Sequence, residues 1–357
     1  MKTDTTFTGV QALRFVAAML VVCTHATGMV SERILHRTAE SFWHAGMSGV
    51  DLFFVISGFV MALTTGSLTG RIGGWKKFLA RRILRIVPLY WLATTFKIVL
   101  LLAFTALPRN TPFDLWHLAA SYLFIPTFNN EAFLFFPVMQ VGWTLNYEML
   151  FYALIVLSLF LRLPILQFTA AVLVIFTAIN IFSSPDFPYG YGFLNPIMLE
   201  FVMGMFVAKL CQRGYAINPW VGGIAVLFSF VIMFNSGDLP IWWRWIYWGL
   251  PSMIIVAVVA LSESVLRNVI PKLLVTLGDS SYSLYLFHTF AIPLLGTLFV
   301  KFHLANPVVA VIASMIVSPV IGLIVYKWLE LPMTQYFKYR SAATFESPAA
   351  RAFEVIK

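Results

Sequence analysis

Apolar runs of about twenty residues, separated by short polar or basic stretches, recur near 10–30, 45–65, 86–107, 142–161, 164–182, 193–210, 219–235, 241–262, 280–300 and 307–328. Each is long enough for a helix to cross a bilayer. No ten-residue pattern of alternating apolar and polar positions points to a membrane barrel. The pattern predicts an all-α, polytopic integral membrane protein with about ten transmembrane helices. An even number puts both termini on one side. With the termini inside, seventeen lysines and arginines fall in inner segments against five in outer loops, so the positive-inside rule makes both termini cytoplasmic. The membrane region is expected to fill 1–335, with 336–357 a short cytoplasmic tail and no second soluble domain.

Composition agrees with this and removes other classes. The 357 residues are 60% hydrophobic and 11% charged, with a mean hydropathy of +0.85, outside the range of a water-soluble domain. The net charge of +9 is explained by basic residues flanking spans, not by nucleic-acid binding. Cys23 and Cys211 both fall in predicted spans without metal-ligand or redox spacing, so neither a disulfide framework nor a metal site is expected. The first apolar run is interrupted by Arg14 and lacks a small-residue cleavage site, which reads as a retained span rather than a signal peptide.

Candidate chemistry lies in the polar residues that the spans carry, because ionisable groups in a bilayer usually face a cavity or a partner. Arg14 and His25 are eleven residues apart, which on a helix puts them within about 20° of one face and about 16 Å apart along the axis. Each alone also fits a simpler role, Arg14 snorkelling to the inner headgroups and His25 packing near the outer interface. Asp51 is expected about two turns below the outer surface on the second span. Ser57-Gly58 reads as a helix-packing site. The basic stretch Arg71–Arg85 fits an anchor on anionic lipid and, through Arg81, Arg82 and Arg85 on successive positions of one helix, a phosphate site. Between the third and fourth spans, Phe113–Pro126 fits an interfacial or re-entrant helix.

The fourth span brings Asn146, Tyr147, Glu148 and Tyr152 into the outer half, Glu148 and Tyr152 one turn apart on one face. Glu200 lies at a similar depth on the sixth. Trp242, Trp243, Trp245 and Trp248 read as an interfacial aromatic belt without chemistry. On the ninth span, Asp279 or Ser280 is expected to cap the helix, with Ser281, Tyr285 and His288 on one face. His36 and His44 are expected in solvent.

The Arg14-to-His25 spacing, Gly-Val-Asp-Leu-Phe-Phe-Val-Ile-Ser-Gly-Phe from Gly49, Arg81-Arg82-x-x-Arg85 with Pro-Leu-Tyr-Trp, Trp-Thr-Leu-Asn-Tyr-Glu from Trp143, and Leu-Gly-Asp-Ser-Ser-Tyr-Ser-Leu-Tyr-Leu-Phe-His from Leu277 together resemble the bacterial acyltransferase-3 family. The likeness spans nearly the whole chain. Its Trp-Thr-Leu-Asn-Tyr-Glu-Met segment is most similar to exopolysaccharide O-acetyltransferases of the succinoglycan-modifying type. The resemblance implies ten membrane helices in a bacterial inner membrane and an acyl-CoA donor, acetyl-CoA first, taken from the cytoplasm. It also implies a hydroxyl acceptor on a surface polysaccharide or lipid-linked oligosaccharide, and an essential role for Arg14 and His25.

Helical rise arranges these residues by depth. His25, Asp51, Glu148 and Glu200 come out level in the outer half, with His288, Arg14 and the Arg81–Arg85 cluster successively deeper. In this reading the arginines and Arg14 hold the acyl-CoA, and His25 is general base or acyl-accepting nucleophile. Glu148 orients His25, Asp51 belongs to the same catalytic layer, and Glu200, His288, Asn146 and Tyr147 contact substrate. The rival is a transporter or flippase of a lipid-linked sugar, whose pathway the same buried charges would line.

Overall fold

The protein is described by a computed structural model, covering residues 7–37, 43–104, 115–127, 136–182, 193–236, 243–304 and 306–337. The predicted tail beyond 337, Trp242 and most of the outer loop around the short helix lie outside the described residues. Helices within them are α1 (Thr8–Arg33), α2 (Ser48–Thr65), α3 (Gly74–Phe104), α4 (Leu115–Leu123), α5 (Trp143–Leu161) and α6 (Ile165–Phe182). They continue with α7 (Leu199–Gln212), α8 (Pro219–Asn235), α9 (Leu250–Leu261), α10 (Lys272–Asp279), α11 (Ser281–Lys301) and α12 (Pro307–Val325). No strand occurs among the described residues.

Every predicted apolar run carries a helix, but the helices differ in reach. Six are long and apolar enough to cross a membrane: Thr8–Arg33, His44–Thr65, Gly74–Ala103, Gln140–Leu161, Ser281–Lys301 and Pro307–Phe337. Ile165–Asn180, Pro219–Asn235 and Trp245–Leu261 are shorter apolar helices. The segment Phe113–Pro126 does contain a helix, the nine-residue α4. The third helix starts twelve residues before the apolar run that announced it, because Gly74 to Arg85 is amphipathic helix that hydropathy alone does not register.

The chain divides into two compact units, Met1–Thr64 with Leu166–Leu323, and Thr65–Ile165 with Ile324–Lys357. In the first, α1 is sandwiched. Leu13 and Ala17 pack into a core with Leu52, Phe59 and Ile255, while Ala18, Val22 and Ala26 pack into another with Leu284 and Ile292. Its free N-terminal amides are satisfied from far along the chain: Thr8 N–H donates to Glu263 Oε1 at 2.7 Å and Gly9 N–H to Oε2 at 3.0 Å. A carboxylate at that end also complements the helix dipole. At the other end Arg33 donates to Thr297 Oγ1 at 2.8 Å and Pro293 O at 3.2 Å, tying α1 to α11.

Small residues set the remaining spacing. A Cβ on Gly58 would meet the carbonyl of Phe201, and one on Gly204 that of Val55, so α2 and α7 cross backbone to backbone as the Ser-Gly pair suggested.

In the second unit, α3 packs along α5, with the Phe78 and Tyr152 ring centroids 5.9 Å apart. The Tyr90 ring lies 4.7 Å from that of Phe124, just beyond α4.

Candidate active site

His25 sits a little past the middle of α1, half-buried. Its Nδ1 lies 2.9 Å from the carbonyl oxygen of Val21, one turn back. A carbonyl only accepts, so Nδ1 carries the proton and the lone pair is at Nε2. This is the tautomer a base or nucleophile needs, and the helix's own backbone fixes it. The Nδ1 partner is therefore Val21, a group to which the sequence analysis gives no role.

His288 on α11 packs against His25, with ring centroids 5.0 Å apart and planes at 63°. It is wholly buried, and its Nδ1 is 3.1 Å from Leu284 O, which fixes the same tautomer. Its Nε2 has no hydrogen-bond partner among the described residues. His288 has no exposed surface. Deeper on the same helix pair, Arg14 Nε donates to Ser281 Oγ at 3.1 Å, so α1 and α11 are joined at both polar levels. Ser280 stands at the N-cap position of α11 as expected, but its Oγ donates back to Leu277 O at 2.9 Å instead of accepting from the first turn.

Asp51 is fully buried and held by Arg244, a residue to which the sequence analysis gives no role. Arg244 Nε donates to Oδ1 at 3.0 Å and Nη2 to Oδ2 at 2.8 Å. Nη2 also donates to Met47 O at 3.2 Å, and the guanidinium stands 4.7 Å from the Trp248 ring. A π-helical turn, Trp245–Gly249, follows Arg244 at the head of α9. Trp248 is thus no belt residue; it is buried and donates Nε1–H to Ser236 Oγ at 2.7 Å. Trp243 is exposed. His44, expected in solvent, is exposed but rests against Trp248 at 5.9 Å.

Glu200 completes this cluster, wholly buried and within electrostatic reach of both Asp51 and Arg244. Gly249 leaves the room: a Cβ there would come within 2.9 Å of Glu200 Oε1. The Asp51 carboxylate is engaged in a bidentate ion pair, so this cluster reads as a clamp between α2, α7 and the head of α9.

The second unit holds its own polar group. Tyr152 donates its hydroxyl to Glu148 one turn earlier on α5. Arg82, its guanidinium 5.7 Å from the Phe78 ring, lies within electrostatic reach of Tyr152, Glu148 and Arg85. Its Nε is buried without a hydrogen-bond partner among the described residues, whereas Arg81 is exposed. The sequence reading set the arginines several turns deeper than Glu148. They meet because α3 packs along α5 at an offset that depth counted along each helix separately does not register. Asn146 is buried, its Oδ1 without a hydrogen-bond partner among the described residues, and Tyr147 packs on Trp143 with centroids 5.7 Å apart. Among the described residues no group of three or more His, Cys, Asp or Glu could hold a metal ion.

A family profile described as an acyltransferase domain matches residues 7–327. The chain is also 34% identical over 312 residues to the exopolysaccharide production protein ExoZ of Rhizobium meliloti (strain 1021), covering 84% of this chain and 94% of that protein. No solved structure matches it.

Proposed function

The chain belongs to the acyltransferase-3 family, and from that premise we propose that it moves an acyl group, acetyl first, from cytoplasmic acyl-CoA to a sugar hydroxyl of an exopolysaccharide or its lipid-linked precursor. It works as a multi-pass protein of a bacterial inner membrane, with ten spans and both termini in the cytoplasm. The polysaccharide acceptor is supported by the likeness to ExoZ. The observation that carries the chemistry is His25, an imidazole in an apolar helix with Nδ1–H given to Val21 O and its lone pair left at Nε2.

In the reaction, His25 Nε2 takes the proton of the sugar hydroxyl as the oxygen attacks the thioester carbonyl. The new C–O ester bond forms, the C–S bond breaks, and the proton passes from His25 to the departing CoA thiolate. An acyl-histidine route uses the same lone pair, with His25 attacking first and the sugar second. Arg14, tied to Ser281, lines the same helix pair. The transporter reading loses its footing with the family assignment. The test is to give purified protein acetyl-labelled acetyl-CoA and the polysaccharide. Label in an ester of the sugar, with stoichiometric CoA release, supports the proposal, and label that never leaves acetyl-CoA refutes it.

The donor's phosphates are assigned to Arg82 and Arg85, since guanidinium groups pair bidentately with phosphate. The half-buried Arg82 with an unspent Nε–H suits that task. Arg82→Gln removes one charge-assisted contact and is expected to raise KM for acetyl-CoA about tenfold or more while changing kcat less. Initial rates against donor concentration check it. An unchanged KM moves the phosphate site elsewhere.

A further inference from the structure

We propose that His288 is the proton partner of His25: the proton that His25 Nε2 takes from the acceptor hydroxyl is shared with His288 Nε2 while the acyl group transfers. The inference rests on the acyl-transfer reading above. It starts from an unmet group, a fully buried ring nitrogen on α11 with no hydrogen-bond partner among the described residues. Such a nitrogen loses its hydration on burial and gains nothing in return, which is unfavourable unless it is used at some other stage of the cycle.

The neighbouring ring supplies that stage. Both imidazoles commit Nδ1–H to the carbonyl four residues back, Val21 for His25 and Leu284 for His288. Both therefore keep a lone pair at Nε2, and two lone pairs cannot bond each other. One added proton changes that, because an N–H on one ring then finds an acceptor on the other. The scale permits it: a ring nitrogen lies roughly 1.1 Å from its ring centre, so with centroids 5.0 Å apart the two Nε2 atoms come to about 2.8 Å once they turn toward one another, a contact the unprotonated pair does not make. Charge arising on the half-buried His25 is then spread over two rings, the second of them fully buried, where a lone imidazolium would be costly.

The surroundings hold the pair in register. Ala18, Val22, Ala26 and Met29 of α1 pack with Leu284 and Ile292 of α11. Tyr285 stands with its ring centroid 6.0 Å from that of His288, and Phe53 lies 5.8 Å from Tyr285. Protons balance throughout. The proton enters from the sugar hydroxyl, is shared between the two Nε2 atoms, and leaves on the CoA thiol.

The test is His288→Phe, which keeps a flat ring in the same space and removes the nitrogens, together with His288→Gln, which restores a buried acceptor. In the Phe variant kcat is expected to fall by about tenfold or more while KM for donor and acceptor stays within about twofold. The Gln variant recovers part of kcat, since its amide oxygen accepts a hydrogen bond from the His25 imidazolium. A packing role predicts the opposite order, with Phe the better substitute. Wild-type kcat in His288→Phe, or a Gln variant no better than Phe, overturns the proposal. Should the Phe variant not fold, a wild-type kcat in the Gln variant overturns it equally, and a reduced one supports it. His25→Gln in parallel separates the two readings: if it transfers acetyl at the wild-type rate the parent mechanism fails, whereas a dead His25→Gln beside an unimpaired His288→Phe defeats only the partnership.

Discussion

Arg244→Ala is expected to cost about 3–5 kcal/mol of stability, the usual result of removing one partner from a buried ion pair. The loss is not that of one contact. Asp51 is fully buried and receives both hydrogen bonds of the pair from Arg244, so the substitution strands a carboxylate with a second carboxyl, Glu200, within electrostatic reach. Met47 O loses a donor and Trp248 loses the cation over its ring. Arg244→Lys should rescue little, because a single ammonium cannot reproduce the fork that spans both carboxylate oxygens. Replacing Asp51 and Arg244 together with Leu and Met should recover more than either single change, since the stranded charge is then gone. Thermal unfolding in detergent measures each of these variants. If Arg244→Ala melts with the wild type, Asp51 has another counter-charge and the clamp reading fails. A melt several degrees lower, with the double variant above it, establishes the clamp.

Why the sequence revealed some of this and hid the rest follows from the range of each interaction. The helices were legible because a bilayer demands about twenty apolar residues per crossing, whatever they pack against. Likewise, 3.6-residue periodicity alone puts Arg14 and His25 on one face, and Glu148 beside Tyr152. The partners were not legible where they come from elsewhere in the chain. Arg244 meets Asp51 across 193 positions. The only available signal was a lone charge at the start of the aromatic run from Trp242 to Trp248, within the predicted span 241–262. Arg82 was set apart from Glu148 because helical rise counted along each helix by itself says nothing of how two helices are offset along their axes, and the two groups lie within electrostatic reach. Val21 was invisible for a different reason: any histidine in a helix has a carbonyl four residues back, and only its rotamer says whether the ring turns to it.

That rotamer makes His25→Gln the sharpest test of mechanism. Glutamine fills a similar volume and can still hydrogen-bond, but it has no lone pair of useful basicity. The described hydrogen bond of His25 is local, to Val21, so the fold should survive and membrane abundance should stay near wild type. Turnover should fall by about 10²–10⁴, the usual contribution of a positioned general base, which corresponds to roughly 3–5 kcal/mol of transition-state stabilisation. What remains is the effect of holding donor and acceptor together, which does not depend on the imidazole. The measurement is single-turnover transfer of labelled acetyl at matched protein. Labelled acetyl-CoA without acceptor then separates the two uses of Nε2. Covalent label on wild-type protein that is absent from His25→Gln marks an acyl-histidine. CoA release that waits for the sugar, with no label on the protein, marks a base. Undiminished turnover in His25→Gln excludes both, and the chemistry would then have to be sought outside the histidine pair.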